Sequence, residues 1–262
     1  MVFTHSGNSG DIVYSIPTIH HLTNGEKKAI VYIKAAKYVH GNQYDFVKEL
    51  LLEQDCIKEV HPFVPENKED WAYFRWPGLK FDYDLDTARY QRQRGRIHIV
   101  KRYFDQFGIN KDHKQPWLKV DSYYKREGRY ALIHLTPRWS GLQYDWKRIY
   151  DEALQRHGTV YFIGFVHEWL DFTIRFGAIQ HLSTESLLDI ARLIRDCEAL
   201  YSNQGVCLTI AQGLGKDYYL VKNADKTNCL LFTPNEHLYG REYLSPDHTF
   251  TAGMLPDSHL IK

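Results

Sequence analysis

Residues 5–17, His-Ser-Gly-Asn-Ser-Gly-Asp-Ile-Val-Tyr-Ser-Ile-Pro, place a glycine-containing turn between a short apolar segment and a helix. Gly7 and Gly10 allow the backbone to adopt positive φ and a ligand to approach closely. The helix that begins near Ile12 points unpaired N–H groups toward the same space. This strand–loop–helix order is the first unit of an α/β fold, and it holds one carboxylate, Asp11. That carboxylate is a candidate base or a simple helix N-cap.

Strands and helices alternate in the same way through the first half of the chain. This alternation predicts strands at Val2–Thr4, Ala29–Ile33 and Ile57–Pro62, and helices at Ile12–Leu22 and Tyr44–Gln54. A βαβ order favours a mostly parallel sheet. A basic, helix-prone stretch then runs to Phe107, and the polar segment 121–128 has the composition of a linker.

The second half restarts the alternation. It predicts strands at Tyr130–Leu135, Thr159–Gly164, Ala199–Ser202 and Tyr218–Val221, and helices at Trp146–His157, Ser186–Asp196 and Val206–Leu214. We therefore predict an α/β protein with two Rossmann-like halves that face a cleft. The predicted domains are 1–124, 125–234 and a tail, 235–262, that can return to the N-terminal domain. Open parallel sheets bind ligands beyond the carboxyl ends of their strands.

Composition narrows the class of protein. The chain has 262 residues, 44% hydrophobic and 25% charged, which is ordinary for a globular protein. A net charge of +1 argues against general attraction to nucleic acid. Four cysteines without CxxC spacing disfavour a zinc or disulfide framework and indicate a reduced, cytoplasmic protein. No apolar run reaches the roughly 18–20 residues of a membrane span, and no signal peptide is apparent.

A second loop-to-helix element lies about two hundred residues after the first. Tyr-Ser-Asn-Gln-Gly-Val, residues 201–206, joins a predicted strand to the helix that ends in the glycine-rich segment 211–215. Its polar residues stand where a helix N-terminus would face a diphosphate. A capped helix without a ligand is the alternative.

Several motifs occur in one order along the chain. They are Gly10-Asp11 with Ile16-Pro17-Thr18, Thr136-Pro137-Arg138, Trp146, Gly164 with Glu168, and Ser202-Asn203-Gln204 followed by Ala211–Gly215. Together they resemble the family 9 glycosyltransferases, the ADP-heptose:lipopolysaccharide heptosyltransferases, and related short phage and bacterial proteins. The resemblance spans residues 1 to about 235.

The resemblance implies a GT-B fold in which the C-terminal half holds most of a nucleotide-sugar donor. It also implies metal-independent transfer with inversion, no cofactor, and Asp11 as the general base. Arg138 would contact the donor diphosphate unless it only forms a surface ion pair. Glu168 would contact the ribose or base unless it is only a helix-start carboxylate. The remaining donor-binding residues implied are Gly10, Thr136, Asn203, Gln204, Gly205 and Val206.

Two departures from the family pattern bear on the substrates. Heptosyltransferases usually carry an Asp-Thr/Ser-Gly loop where this chain has Asn203-Gln204-Gly205, which argues against a heptose donor. The chain is also shorter than the typical member, so we expect acceptor-binding insertions to be missing. The asparagine–glutamine version resembles the phage-type relatives more closely.

One dense basic tract lies in the half expected to hold the acceptor. It consists of Arg89, Arg92, Arg94, Arg96, Lys101 and Arg102. Either it is a solvated helix face, or Arg92, Arg94 and Arg96 bind an anionic acceptor. The acceptor would be a surface-glycan precursor or a hydroxymethylated base in phage DNA. The rival hypothesis is a non-catalytic nucleotide-sugar-binding or scaffold protein of the same fold.

Other side chains that could bind a metal ion are interpreted as structural residues. Asp82, Asp84 and Asp86 lack the spacing of an EF-hand, so we predict a solvated strand or loop rather than a metal site. His20-His21 and His134 are interpreted as packing or surface residues. We predict no bound metal.

Overall fold

The computed structural model describes residues 1–34, 43–65, 76–90, 97–121, 129–137, 144–221 and 229–239. Within these residues the chain forms two parallel sheets flanked by helices. The N-terminal elements are β1 (Val2–His5), α1 (Ser9–Leu22), β2 (Ala29–Lys34), α2 (Gln43–Leu52), β3 (Ile57–Phe63), β4 (Tyr83–Asp84), a 3₁₀ helix (Leu85–Tyr90) and α3 (Ile99–Gln106). Their strands are ordered β3-β2-β1-β4.

The second sheet has six strands and is also parallel throughout. Its elements are β5 (Ala131–His134), α4 (Trp146–His157), β6 (Val160–Ile163), α5 (Val166–Phe176), β7 (Gln180–Leu182), α6 (Leu187–Asp196), β8 (Ala199–Ser202), α7 (Val206–Leu214), β9 (Tyr218–Val221) and β10 (Glu236–Tyr239). The strand order is β10-β9-β8-β5-β6-β7. The predicted α/β class and the two Rossmann-like halves are confirmed.

The order of the second sheet reverses at β5. From β5 the chain adds β6 and β7 on one side, and then returns to place β8 on the other side. The gap between the carboxyl ends of β5 and β8 is thus a topological switch point, where open α/β sheets bind ligands. All four residues of β5 and of β8 are buried, as expected of strands covered by helices on both faces.

The two halves share one continuous apolar core. Helix α1 packs against α7, and α2 packs against α6, so each contact joins a helix of one half to a helix of the other. Ile12 and Ile16 of α1 belong to the same buried cluster as Leu208 and Ile210 of α7. Removal of this apolar area from water stabilises the pairing of the halves.

Several predicted boundaries were wrong. Helix α1 begins at Ser9 rather than Ile12, which places Gly10 and Asp11 in its first turn. The basic, helix-prone stretch that runs to Phe107 contains the 3₁₀ helix and the short helix α3, with residues 91–96 outside the described part. The sequence pattern also did not predict α5. Val166–Phe176 carries exposed apolar side chains at Val166 and Ile174, so its solvent-facing side is not distinctly polar.

The first residues of the tail, which was predicted to begin at residue 235, join the second sheet. Over Glu236–Tyr239 the tail pairs in parallel with β9. The predicted return to the N-terminal domain stays a prediction, since residues 240–262 lie outside the described part of the chain. Among the described residues, no helix is long and apolar enough to cross a membrane.

Candidate functional site

Helices α1 and α7 meet at their N-termini. A Cβ atom built on Gly10 would lie 3.4 Å from Thr209 Oγ1 and 3.8 Å from Val206 Cα, so the first turns of the two helices are in contact. One turn further along, Tyr14 Oη donates a hydrogen bond to Gln212 Oε1 (2.7 Å). Burial raises the pKa of Tyr14 well above its ordinary value, so the phenol stays a neutral donor. The two predicted loop-to-helix elements therefore face the same space.

The glycines of the first loop act differently from our prediction. Neither Gly7 nor Gly10 is among the described glycines with positive φ. Gly10 is instead part of α1, where an added Cβ would make only ordinary van der Waals contact with α7.

The first loop is held by buried ionisable groups. Both carboxylate oxygens of Asp86 accept from the Ser6 N–H at 3.0 Å, and Asp86 Oδ2 also accepts from Ser6 Oγ at 2.6 Å. The Gly7 N–H donates to His5 Nδ1 (2.8 Å), and His5 Nε2 lies 2.8 Å from the Tyr103 hydroxyl. Because Nδ1 accepts a hydrogen bond, the imidazole carries its proton on Nε2.

The predicted solvated acidic segment is therefore wrong for two of its three members. Asp86 is fully buried, and Asp84 is half-buried beside β1. Asp84 Oδ1 accepts from Thr4 Oγ1 (3.3 Å) and from the Asp86 N–H (3.0 Å), and burial raises its pKa. Asp82, which is exposed, accepts from the Val2 N–H at 2.8 Å. Strand β4 pairs with β1, and this pairing sets Asp82 and Asp84 along β1 and Asp86 at the first loop.

Asp11 lies on the first turn of α1, half-buried at the junction with α7. Its Oδ2 accepts from the Asn8 N–H at 3.3 Å, the reciprocal half of a capping box. Asp11 thus has the helix-start role that we considered, and it also stands one residue from the Gly10 contact with α7.

The second loop is held by neutral groups. Asn203 Oδ1 accepts from the Thr136 N–H (3.0 Å), and Asn203 Nδ2 donates to the Thr136 carbonyl (2.7 Å). This pair of bonds ties the end of β5 to the end of β8 across the switch point. Gln204 Nε2 donates to Cys229 Sγ at 2.7 Å. Both amide side chains predicted to bind a ligand are engaged within the protein.

Sequence reasoning gave His134, the last residue of β5, only a packing or surface role. Its Nδ1 lies 3.0 Å from Ser202 Oγ, the hydroxyl that donates to the Asn203 carbonyl at 2.8 Å. Burial lowers the pKa of the imidazole. A histidine that ends a buried strand gives no periodic signal, but its place at the end of the first strand of the second half could have drawn attention to it.

Glu168 lies on the first turn of α5. Its Oε2 accepts from the Phe165 N–H (3.0 Å), and the side chain is buried. Gly164, at the end of β6, has a φ of +139°, and a Cβ there would come within 2.9 Å of Glu168 Oε2. Glu168 therefore performs the helix-start role that we considered, close to the carboxyl edge of the sheet.

The N-terminus of α7 differs from those of the other helices with described caps. Side chains satisfy N–H groups at the other five starts: Asp11 at α1, His98 at α3, Asp145 at α4, Glu168 at α5 and Ser186 at α6. At α7 the cap is Gly205, and no described side chain bonds there. Its first N–H groups remain available at the switch point.

Most of the basic side chains predicted to bind the donor or the acceptor lie outside the described residues. Arg138, Arg92, Arg94 and Arg96 all do. Two members of the tract are visible with their side chains. Lys101 forms an ion pair with Asp105, and Arg102 is buried with its Nε donating to the Ile97 carbonyl (3.1 Å). Arg102 is therefore part of the interior rather than of a solvated face.

Within the described ranges, no three His, Cys, Asp or Glu side chains are grouped so that they could hold a metal ion. All four cysteines are buried and unpaired with one another. The expected absence of a metal stays a prediction.

No protein-family model matches the sequence, and comparison with curated protein sequences gives no match either. Solved structures do resemble the fold. A glycosyl transferase family 9 protein from Veillonella parvula has a TM-score of 0.63 at 8% identity, covering 91% of this chain and 84% of that one. ADP-heptose LPS heptosyltransferase II of E. coli gives 0.63 at 13% identity, covering 91% and 89%.

E. coli heptosyltransferase WaaC, solved with ADP, gives a TM-score of 0.59 at 14% identity over 90% of this chain and 92% of that one. These likenesses extend over both sheets, as the coverage shows. The chain thus has the fold of the family 9 heptosyltransferase structures, two Rossmann-like halves in the GT-B arrangement.

Proposed function

We propose that this protein is a glycosyltransferase that moves a sugar from a nucleotide-sugar donor to an acceptor hydroxyl. Transfer proceeds with inversion at the anomeric carbon and without a metal ion. The observation that carries the proposal is the junction of α1 and α7, where an uncapped helix N-terminus at a switch point lies beside a carboxylate.

The donor diphosphate would occupy the N-terminus of α7. Free N–H groups and the helix dipole favour an anion there by about 0.3–1 kcal/mol, and by up to ~2 kcal/mol when partly buried. The Asn203–Thr136 bonds and Gly205 keep the surrounding backbone fixed in place for this contact. Arg138, two residues after Thr136, is the proposed cationic contact of the diphosphate.

Asp11 would act as the general base. Removal of the acceptor proton during attack is worth about 10²–10⁴-fold in rate. The position of Asp11, half-buried and one residue from the Gly10–Val206 contact, brings a carboxylate to the expected donor site. Closure around the substrates would desolvate it and strengthen it as a base.

Fold likeness supports this class of reaction. The solved structures of similar fold are glycosyltransferases, and one of them was solved with ADP. The Asn203-Gln204-Gly205 loop leads us to propose a sugar other than heptose. We propose a surface-glycan precursor or a hydroxymethylated base in phage DNA as acceptor, with Arg92, Arg94 and Arg96 as contacts. Glu168 remains a proposed contact of the donor ribose or base.

A thermal-shift panel of ADP, UDP, GDP and CDP, each free and as its glucose ester, tests donor binding. A ligand present at 100 times its Kd stabilises the native state by about 2.7 kcal/mol. Slow release of nucleoside diphosphate from the stabilising ester, unaffected by EDTA, would support the enzyme. Binding without release, with or without acceptors, would favour the non-catalytic nucleotide-sugar-binding protein.

A further inference from the structure

We propose that His134 binds the donor diphosphate through Nε2 and takes up one proton as the donor binds. The inference rests on the proposed function, because it places the diphosphate at the N-terminus of α7. It adds a donor-binding residue that the sequence motifs do not contain, and it predicts that donor binding depends on pH.

Two glycines leave room for the imidazole. A Cβ on Gly205 would lie 2.9 Å from His134 Cε1, and a Cβ on Gly164 would lie 3.5 Å from His134 Cδ2. Nε2 is the ring atom between Cε1 and Cδ2, so it faces the gap between the two loops. Gly205 is the N-cap of α7, and Gly164 directly precedes the N-cap of α5. Nε2 thus lies between the starts of these two helices, of which α7 is the one without a capping side chain.

The other ring nitrogen is already committed. The Ser202 hydroxyl donates to the Asn203 carbonyl, so it accepts from the Nδ1–H of His134. In the neutral ring Nε2 is then an acceptor, and no described residue donates a hydrogen bond to it. His134 as a residue is only 6% exposed. A nine-tenths buried imidazole that keeps one ring nitrogen without a described partner, beside a helix N-terminus, indicates a ligand.

The charge of that ligand determines the protonation state of the ring. A diphosphate oxygen is an acceptor, so it repels a neutral Nε2 but bonds strongly to an imidazolium N–H. Without a ligand, burial lowers the pKa of His134 and keeps the ring neutral. An anion at α7 raises that pKa, and a proton then passes from solvent to Nε2. No other atom changes its bonding.

The described groups around the ring are compatible with this step. Glu168 on α5 acts on His134 electrostatically and favours its charged form. His181 on β7 is engaged by the Gly164 carbonyl through its Nε2 (2.9 Å). Cys207 on α7 is fully buried, and burial raises its thiol pKa, so it stays neutral. Ser202 on β8 does not titrate.

Calorimetry of ADP binding in two buffers of different ionisation enthalpy measures the proton uptake. At pH 8 the terminal phosphate of ADP, with a pKa of about 6, is fully ionised and contributes no proton. We expect uptake approaching one proton per ADP bound. By linkage, the Kd should then rise by up to about tenfold per pH unit above the pKa of the free ring.

His134→Asn identifies the group. The Asn amide nitrogen can keep the bond to Ser202 Oγ while the Nε2 position is lost, so ADP binding should weaken and proton uptake should vanish. His157→Asn is the matched control. His157 is a half-buried histidine at the C-terminus of α4, bonded to Glu198 and Tyr201, and its loss should leave uptake unchanged.

The outcomes separate this inference from the proposed function. ADP binding without proton uptake in the unmodified protein would overturn the role of His134 and leave the donor site intact. Uptake that persists in a folded His134→Asn variant would assign the proton to another group and overturn it equally. If no nucleoside diphosphate binds, the proposed function fails, and the inference fails with it. If His134→Asn does not fold, an absence of proton uptake in the unmodified protein still overturns the inference.

Discussion

The two loops that meet between the halves are built from different chemistry. The first, residues 5–8, is held by Asp86, His5 and Tyr103, groups that can carry charge. The second, residues 202–205, is held by the neutral Asn203–Thr136 pair and by the Ser202 hydroxyl. The difference is consistent with separate roles for the two loops, because an anion needs backbone N–H groups that no side chain already occupies.

The largest effect should come from Asp11→Asn. The amide keeps an oxygen to accept from the Asn8 N–H but cannot take a proton, so transfer should fall by about 10²–10⁴-fold. The Kd for the nucleoside diphosphate should stay within about twofold of the unmodified protein. Transfer rate and calorimetric Kd are measured on the same preparation. Near-normal transfer by this variant would remove Asp11 from the chemistry.

The second largest effect should be the loss of stability when the Asp86 carboxylate, which holds the first loop, is removed. Asp86→Ala removes the acceptor of the Ser6 N–H and hydroxyl and should lower the free energy of unfolding by about 3 kcal/mol. Asn203→Ala removes neutral bonds only and should cost about 1–2 kcal/mol. Urea unfolding compares the two, with Asp86→Asn as the intermediate case. Equal losses would show that charge does not distinguish the loops.

A pair of glycine substitutions extends the comparison. In Gly205→Ala the new Cβ would lie 2.9 Å from His134 Cε1, so the ring must move, at about 1–3 kcal/mol of stability and with weaker ADP binding. In Gly10→Ala the nearest atom is 3.4 Å away, and alanine favours the helix by up to ~1 kcal/mol. Thermal unfolding and ADP calorimetry measure both variants. A harmless Gly205→Ala would contradict the packing described at the switch point.

The smallest expected effect is a pH dependence in the N-terminal half. Burial lowers the pKa of His98, the N-cap of α3, to about 3. The unfolded state therefore binds more protons between pH 6.5 and that value, and stability falls as the pH drops below 6.5. The slope is at most about 1.4 kcal/mol per pH unit. His98→Asn keeps a capping side chain and should flatten part of this slope in urea titrations between pH 5 and 7. An unchanged slope would argue against a neutral, buried His98.

The sequence indicated the class of fold because βαβ periodicity and glycine-ended helices are local signals. It also indicated which two loops meet, since both follow strand ends at corresponding places in the two halves. It could not indicate that Asp86 is buried, because the pairing of β4 with β1 joins residues about eighty positions apart. The position of His134 at the switch point could not be predicted for a related reason. Its environment comes from Gly164, Ser202 and Gly205, which only the sheet order brings together.

Hydrogen–deuterium exchange with and without ADP tests the central claim most directly, because it locates the bound nucleotide. If the ligand lies at the junction of α1 and α7, backbone amides of residues 203–208 should gain the most protection, with a smaller gain in 5–12. The main alternative is a cavity of about 580 Å³ at the far end of α1, lined in part by His21, Phe104 and Trp117. Protection centred on residues 111–119, with no change at 203–208, would contradict the account.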